Sequence, residues 1–416
     1  MNETTENKKR YLKGVISPIN IGLITFRNPY IAMWWAAAFP GLPHISMCKY
    51  LTGSILILWE FFVNVNANFN LAIVYSFIGE FDKAAEILDT RWILVYIPVY
   101  IYGIWDSRRL VLSTNKFSIL ADSYGSVDLM SPTNVAWFDH NLLDKMRPGL
   151  AAFWSFILPG LGHLYIQRLP TAFYVMIWIV ITFYFSNMLP AIHFTVLGKF
   201  EEATSVVNPQ WLLFFPSMYG FAIFDSYLFC KKSNELYKEQ QSRYLEKNFQ
   251  PKGSRTRLLL KRVGNMNIVA SFASSIYVEL AINELIENGI SQDNIYAIPL
   301  KDQPKKRNID AISGEGFNLF EVTISTATAF TVLGTIYGFI WYGGPVIWGL
   351  IGFFAGAVVG LIIDIIIERK EVIKKIKRGE GGEVVLMINC TEENAKMVKD
   401  ILFNHFTLGV SETLRE

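Results

Sequence analysis

"PGLPHIS" at Pro40–Ser46 and "PGLGHLY" at Pro159–Tyr165 are two spellings of one heptapeptide, 119 residues apart. Slid by that interval, the chain goes on matching itself on both sides without a gap. Pro29 falls on Pro148, Trp35 on Trp154, His44 on His163, Thr52 on Thr171 and Trp59 on Trp178. Asn68 meets Asn187, Gly79 meets Gly198, Trp92 meets Trp211 and Tyr100 meets Tyr219. Asp106-Ser107 meets Asp225-Ser226, and Lys49 meets Arg168. Apolar segments align through composition alone, but matched Trp, Pro, His and Asp do not. The expectation is a tandem duplication of two membrane repeats, 29–107 and 148–226.

The composition places these units in a bilayer. The chain is 52% hydrophobic and only 18% charged, with a positive mean hydropathy, whereas soluble domains are about a quarter charged. Apolar runs occupy Gly53–Gly79, Trp92–Trp105, Thr171–Gly198, Trp211–Phe224, Leu319–Tyr342 and Pro345–Ile367. In each unit an apolar stretch of about a dozen residues, short of the roughly 20 a spanning helix needs, ends at Pro-Gly-Leu. Irregular backbone at membrane depth is tolerated when it is buried in protein, so each such element reads as a re-entrant hairpin. A long span, an amphipathic connector and a second span follow.

Basic residues set the topology. Lys8, Lys9, Arg10, Lys13 and Arg27 precede the first unit, Arg108 and Arg109 follow it, and Lys231 and Lys232 follow the second. The connectors carry acids instead, among them Glu80, Asp82, Glu201 and Glu202. Both ends of each unit, and both chain termini, are therefore expected in the cytoplasm. The polar, basic opening shows no cleavable signal peptide. Cys48, Cys230 and Cys390 are too scattered for a metal site or a disulfide framework.

Past the second unit the pattern changes. A basic juxtamembrane segment (227–264), which suits contact with the anionic headgroups of membrane lipids or an ordinary positive-inside flank, precedes a strand at Asn267–Ala273, a helix with Ser274 or Ser275 as its cap, and a strand at Asn294–Leu300. Two apolar spans intervene at about 319–367. A strand at Glu383–Asn389, a helix capped by Thr391 and a strand at Leu408–Leu414 complete the set. This β-α-β, hairpin, β-α-β order predicts a ferredoxin-like α+β domain over 265–416, interrupted by a transmembrane hairpin. On that hairpin Gly352, Gly356, Gly360 and Asp364 recur every four residues, a spacing that lets helices pack backbone to backbone. It suits packing within the hairpin or self-association of subunits.

The motif "LPGLGHLYIQR" resembles the Pro-Gly-(Leu/Phe)-Gly-(His/Gln)-x-(Tyr/Phe) signature of TM2-like and related small bacterial membrane families. The second copy keeps Gly162, His163 and Tyr165, and the first has Pro43 and Ser46 at two of those places. The C-terminal third is similar to general-stress-protein 17M/YflT-type and DUF1269-like domains, which join a small α/β domain to a glycine-rich hydrophobic hairpin. Both resemblances imply membrane-associated, non-enzymatic proteins and supply no catalytic residues.

Two constellations carry candidate chemistry. Glu60, Asn64 and Asn68 form a polar stripe at helical spacing inside a span, and ionisable residues there are functional candidates. The second copy has Ile179 and Phe183 at the first two places. The stripe suits a water-filled path or interhelical hydrogen bonding. His44 with Asp106, and His163 with Asp225, suit a His–Asp pair in each unit, for pinning the re-entrant element or for proton or metal chemistry. No Walker loop, nucleophile elbow, His-Glu-x-x-His or dinucleotide fingerprint is present. Neither a cofactor nor nucleic acid is expected.

These features predict six spans, two re-entrant hairpins, a linker at 108–147 and a cytoplasmic N-terminus at 1–28. Two functions fit. One is a non-catalytic scaffold or assembly component, self-associating through the glycine row and offering the α/β domain to a protein partner. The other is a channel or secondary transporter with its path between the repeats, Glu60 on it and the α/β domain as regulator.

Overall fold

The computed structural model describes residues 13–123, 133–136, 140–250, 266–300, 319–376 and 384–414. Its helical body opens with a β-hairpin, β1 (Gly14–Ser17) and β2 (Asn20–Leu23), followed by α1 (Pro29–Ala38), α2 (Leu42–Ser46), α3 (Tyr50–Ala67), α4 (Phe69–Phe77), α5 (Phe81–Ile87) and α6 (Thr90–Ser123). A second hairpin, β3 (Thr133–Val135) and β4 (His140–Leu142), precedes α7 (Pro148–Ile157), α8 (Leu161–Tyr165), α9 (Leu169–Ser186), α10 (Met188–Val196), α11 (Phe200–Val206), α12 (Pro209–Leu212) and α13 (Phe214–Phe249). Helices α7 to α11 have the lengths of α1 to α5, each displaced by 119 residues.

Local sequence explains the shared breaks. Asn28 caps α1, its Oδ1 accepting from the Tyr30 N–H, and Pro29 begins the helix, where its missing N–H costs nothing. Gly41 (φ +96°) and Gly160 (φ +107°) make the left-handed turns into α2 and α8. The breaks after α3 and α9 fall on Asn68 and Asn187, both at φ +54°, a region asparagine tolerates better than most residues.

Among the described residues four helices are long and apolar enough to cross a membrane: Tyr50–Ala67, Leu169–Ser186, Pro209–Phe249 and Gly344–Ile363. A fifth candidate exists if the pair Phe81–Ile87 and Thr90–Ala121, bent by 88°, is one span. Of the six spans expected from composition, the remaining two fall in the unbroken helices Thr90–Ser123, part of the bent pair, and Leu319–Tyr337. Leu51, Ile55, Leu58 and Phe62 form an exposed apolar stripe on α3, and Phe173, Ile177, Val180 and Tyr184 form one on α9. Helix α13 instead is the central post, with 83% of its apolar window buried. It runs without a break through the 226/227 boundary between the second unit and the juxtamembrane segment, just as α6 runs through 107/108. The α13 helix continues because "KKSNELYKEQQSRYLEKNF" holds no Gly or Pro and supplies i,i+3 and i,i+4 pairs such as Lys232–Glu235 and Arg243–Glu239.

The last turns of α13 enter the α/β domain, where Leu245 and Phe249 join its core. That domain comprises β5 (Met266–Phe272), α14 (Ile276–Glu287), β6 (Ile295–Pro299), β7 (Val384–Cys390), α17 (Glu392–Asn404) and β8 (Gly409–Leu414). Its sheet is antiparallel throughout, in the order β6-β7-β5-β8. Pro299 ends the edge strand β6, where its lack of an N–H is harmless. Ser275 and Thr391 occupy the N-cap positions of α14 and α17, but neither hydroxyl makes the capping bond. Ser274, the other expected cap, donates to Gln241 Oε1 at 2.7 Å, tying α13 to the domain.

Between β6 and β7 stand α15 (Leu319–Tyr337) and α16 (Gly344–Ile376). A β-carbon at Gly352 would collide with the Phe330 carbonyl, and one at Gly356 would meet the Thr326 carbonyl at 2.6 Å. At Gly360 it would meet the Thr323 Cα at 2.5 Å. Thr326 Oγ1 donates to the Gly356 carbonyl at 2.9 Å. The glycine row is thus filled by α15 of the same chain, which takes up the surface that self-association through the row would need. The Asp364 side chain lies outside the described residues.

Candidate functional site

Two buried polar clusters cross from the first half of the helical body to the second. The first centres on Asp225, in the middle of α13, with no solvent exposure. Its Oδ2 accepts from Arg168 Nη1 at 2.8 Å and from His163 Nε2 at 3.2 Å. Its Oδ1 accepts from the Ser46 hydroxyl, which lies 179 residues earlier in the chain. Ser46 Oγ in turn accepts from Arg27 Nη1 at 2.6 Å, and the Ser46 carbonyl accepts from Arg168 Nη2 at 3.2 Å. Arg168 is itself wholly buried, with its guanidinium 4.3 Å from the centre of the Phe229 ring. A buried charge needs a partner and filled hydrogen bonds, and Arg168, His163 and Ser46 supply them to the Asp225 carboxylate.

The corresponding cluster in the first half is simpler. His44 Nε2 donates to Asp106 Oδ2 at 3.1 Å, and Arg109, one turn further along α6, donates from Nε to Oδ1 at 2.7 Å. Both expected His–Asp pairs are therefore brought together. With each Nε2–H facing a carboxylate, each Nδ1 carries the lone pair, and neither Nδ1 has a partner. Burial holds both imidazoles, on the five-residue helices α2 and α8, below the ordinary histidine range, against the opposite pull of the carboxylates. Among the described residues no group of three or more His, Cys, Asp or Glu is arranged to hold a metal ion.

The second cluster lies near the other end of α3, an 18-residue helix of about 27 Å at 1.5 Å per residue. Asn64 Nδ2 donates to Glu60 Oε1 at 2.9 Å and to Asn70 Oδ1 at 3.2 Å. Asn64 Oδ1 accepts from the Asn70 N–H at 3.2 Å and from Gln210 Nε2 at 2.8 Å. The Tyr96 hydroxyl donates to Glu60 Oε1 at 3.2 Å, and Gln210 Oε1 accepts from the Leu71 N–H at 2.9 Å. Asn68 stands apart, because the helix ends there and its amide turns to the Ile87 carbonyl at 3.5 Å. Asn70, Tyr96 and Gln210 were missed by the reading of a single helical stripe. They come from three other helices, and only the polarity of Gln210 at the start of a membrane run hinted at them.

Apolar contacts lock the same interface. Phe61 stacks on Trp178 with ring centres 4.4 Å apart, and Trp35 meets Phe221 edge-on at 5.4 Å. The Tyr50 and Thr171 hydroxyls are 2.8 Å apart. These features define a mostly helical protein, with apolar helices of membrane-spanning length, whose two halves are joined by polar and aromatic bridges. The chain matches no protein-family model, no curated protein and no solved structure.

Proposed function

We propose that the chain is a non-catalytic integral membrane scaffold, built from a duplicated helical unit and offering a cytoplasmic ferredoxin-like domain to a protein partner. The observation that carries this reading is the closed Glu60–Asn64–Asn70–Gln210 network. Both polar atoms of the Asn64 amide are spent on neighbours, and the network ties one half to the other. Such an arrangement suits a rigid joint better than a path for ions. The 119-residue displacement of equal-length helices supports the duplication. The antiparallel order β6-β7-β5-β8 supports the ferredoxin-like assignment, with its edge, centre, centre, edge arrangement of a doubled β-α-β unit. The basic flanks of the units support cytoplasmic termini.

Proteoliposome flux tests the reading. The intact chain and Glu60→Gln, which keeps an acceptor for Asn64 and Tyr96, are expected to pass no ions or solutes above protein-free vesicles. Glu60→Leu strands two buried donors, each worth roughly 1–3 kcal/mol, so its thermal unfolding midpoint falls without any change in flux. Flux that Glu60→Gln abolishes would replace the scaffold with the channel or transporter reading.

A further inference from the structure

Between the two halves lies an open cleft that adjoins the Asp225 cluster and shares Arg27 and Ser46 with it. One side of it is rich in donors. Asn28 and Trp35 line it, both more than nine-tenths buried, and Asn28 Nδ2 and Trp35 Nε1 have no hydrogen-bond partner. Two buried N–H groups left unpaired in one cleft are costly unless something that accepts hydrogen bonds fills it. The Arg27 guanidinium and the Lys232 ammonium line the same space. The positive end of α1, which begins at Pro29, adds to the same polarity. One acid, Glu321 of α15, faces these cations and offsets part of their charge, and Lys232 also pairs with Glu235 at 2.9 Å.

The remaining walls are apolar and belong to helices of the membrane body. Ile31 of α1, Val111 of α6, and Phe221 and Leu228 of α13 line them. A ligand that satisfies both sides carries an anionic, acceptor-rich head and a hydrocarbon body. We propose that this cleft holds one phospholipid, its phosphate taken by Arg27, Asn28 Nδ2, Trp35 Nε1 and Lys232, and its acyl portion laid along the apolar walls between the two halves. Such a lipid is a wedge of fixed stoichiometry between the halves, not part of the surrounding annulus.

The test uses the full-length protein in a mild detergent, titrated with phosphatidylglycerol and followed by native mass spectrometry. The expected result is one saturable lipid per chain above a non-saturable background. Asn28→Asp keeps the α1 cap, since aspartate caps as well as asparagine, but turns the free donor into a carboxylate facing the phosphate. Its affinity is expected to fall at least about tenfold, as for loss of a hydrogen bond to a charged group. Arg27→Gln should weaken binding similarly. Trp35→Phe, which removes the indole N–H together with part of a buried ring packed on Phe221 and Phe224, should weaken binding by a few-fold and lower thermal stability as well. Glycerol phosphate and inorganic phosphate at millimolar concentration should not displace the lipid. Unchanged binding in Asn28→Asp, Arg27→Gln and Trp35→Phe would overturn the proposal, as would a purely non-saturable lipid signal. Displacement by free phosphate would overturn it too, by making the site one for a soluble anion.

Discussion

Arg168 and Lys49 hold the same place in the two halves and have opposite fates. Lys49 is exposed, whereas Arg168 is wholly buried and reaches Asp225, the Ser46 carbonyl and the Phe229 ring. Only a planar fork can serve these partners together, so arginine and lysine are not interchangeable at 168. Arg168→Met leaves the Asp225 carboxylate buried beside Arg27 and His163 alone, and is expected to cost about 3–5 kcal/mol. Adding Asp225→Asn should return most of that loss. Chemical denaturation of the four proteins in micelles measures the coupling, and strictly additive losses would mean that the two side chains act separately. His163 adds a pH dependence. Because burial lowers its pKa in the fold, the unfolded chain binds its proton first as pH falls through about 6.5, and stability falls with it. The loss between pH 7 and pH 5 should be shallower in His163→Gln, whose amide can still donate to Asp225. Equal slopes would show that the folded imidazole takes up its proton as readily as the unfolded chain does.

At the scale of elements, the glycine row on α16 decides between two uses of one pattern. Its spacing announced close packing, and the carbonyls of Phe330 and Thr326 at Gly352 and Gly356 show which helix does the packing. Gly356→Leu must push α15 away and break the Thr326–Gly356 hydrogen bond, an overpacking cost of about 1–3 kcal/mol or more. It should lower thermal stability and raise hydrogen exchange in α15 while leaving the mass of the protein–detergent particle unchanged. A shift in oligomeric mass at unchanged stability would instead return the row to self-association. The breaks at Asn68 and Asn187 offer a matched control, since both have φ +54°. Asn68→Gly should be tolerated, whereas Asn68→Val forces a β-branched residue into a left-handed conformation, at about 1–2 kcal/mol.

For the whole molecule, what was legible follows from what repeats. The equal-length helices displaced by 119 residues could be read because Trp, Pro, His and Asp recur at that interval, and the His–Asp pairs because both partners recur with them. The hairpins β1–β2 and β3–β4 lie in register with the same interval, yet between 14–28 and 133–147 Leu23 and Leu142 are the one shared residue. A two-stranded ribbon is made by backbone bonds and needs no common side chains. The bridge from Ser46 to Asp225 was hidden for the opposite reason, because Ser46 is where the first copy departs from the second. The α/β domain was legible through its alternating strands, and its sheet register adds a consequence. Pro299 and Val384, the residues on either side of the α15–α16 hairpin, are directly paired across an antiparallel ladder. The hairpin therefore stands where a tight β-turn would close β6 onto β7. A chain running from Leu236 with residues 300–383 replaced by Asn-Gly, a two-residue turn matched to the twist of the strands, should fold as a soluble monomer with a cooperative thermal transition. Leu245→Ala in that chain removes a wholly buried side chain from the shared core, for a loss of about 2–5 kcal/mol. An aggregated or uncooperative product would show that α15 and α16 hold the sheet together. A soluble product indifferent to Leu245→Ala would show that α13 is docked on the domain without belonging to its core.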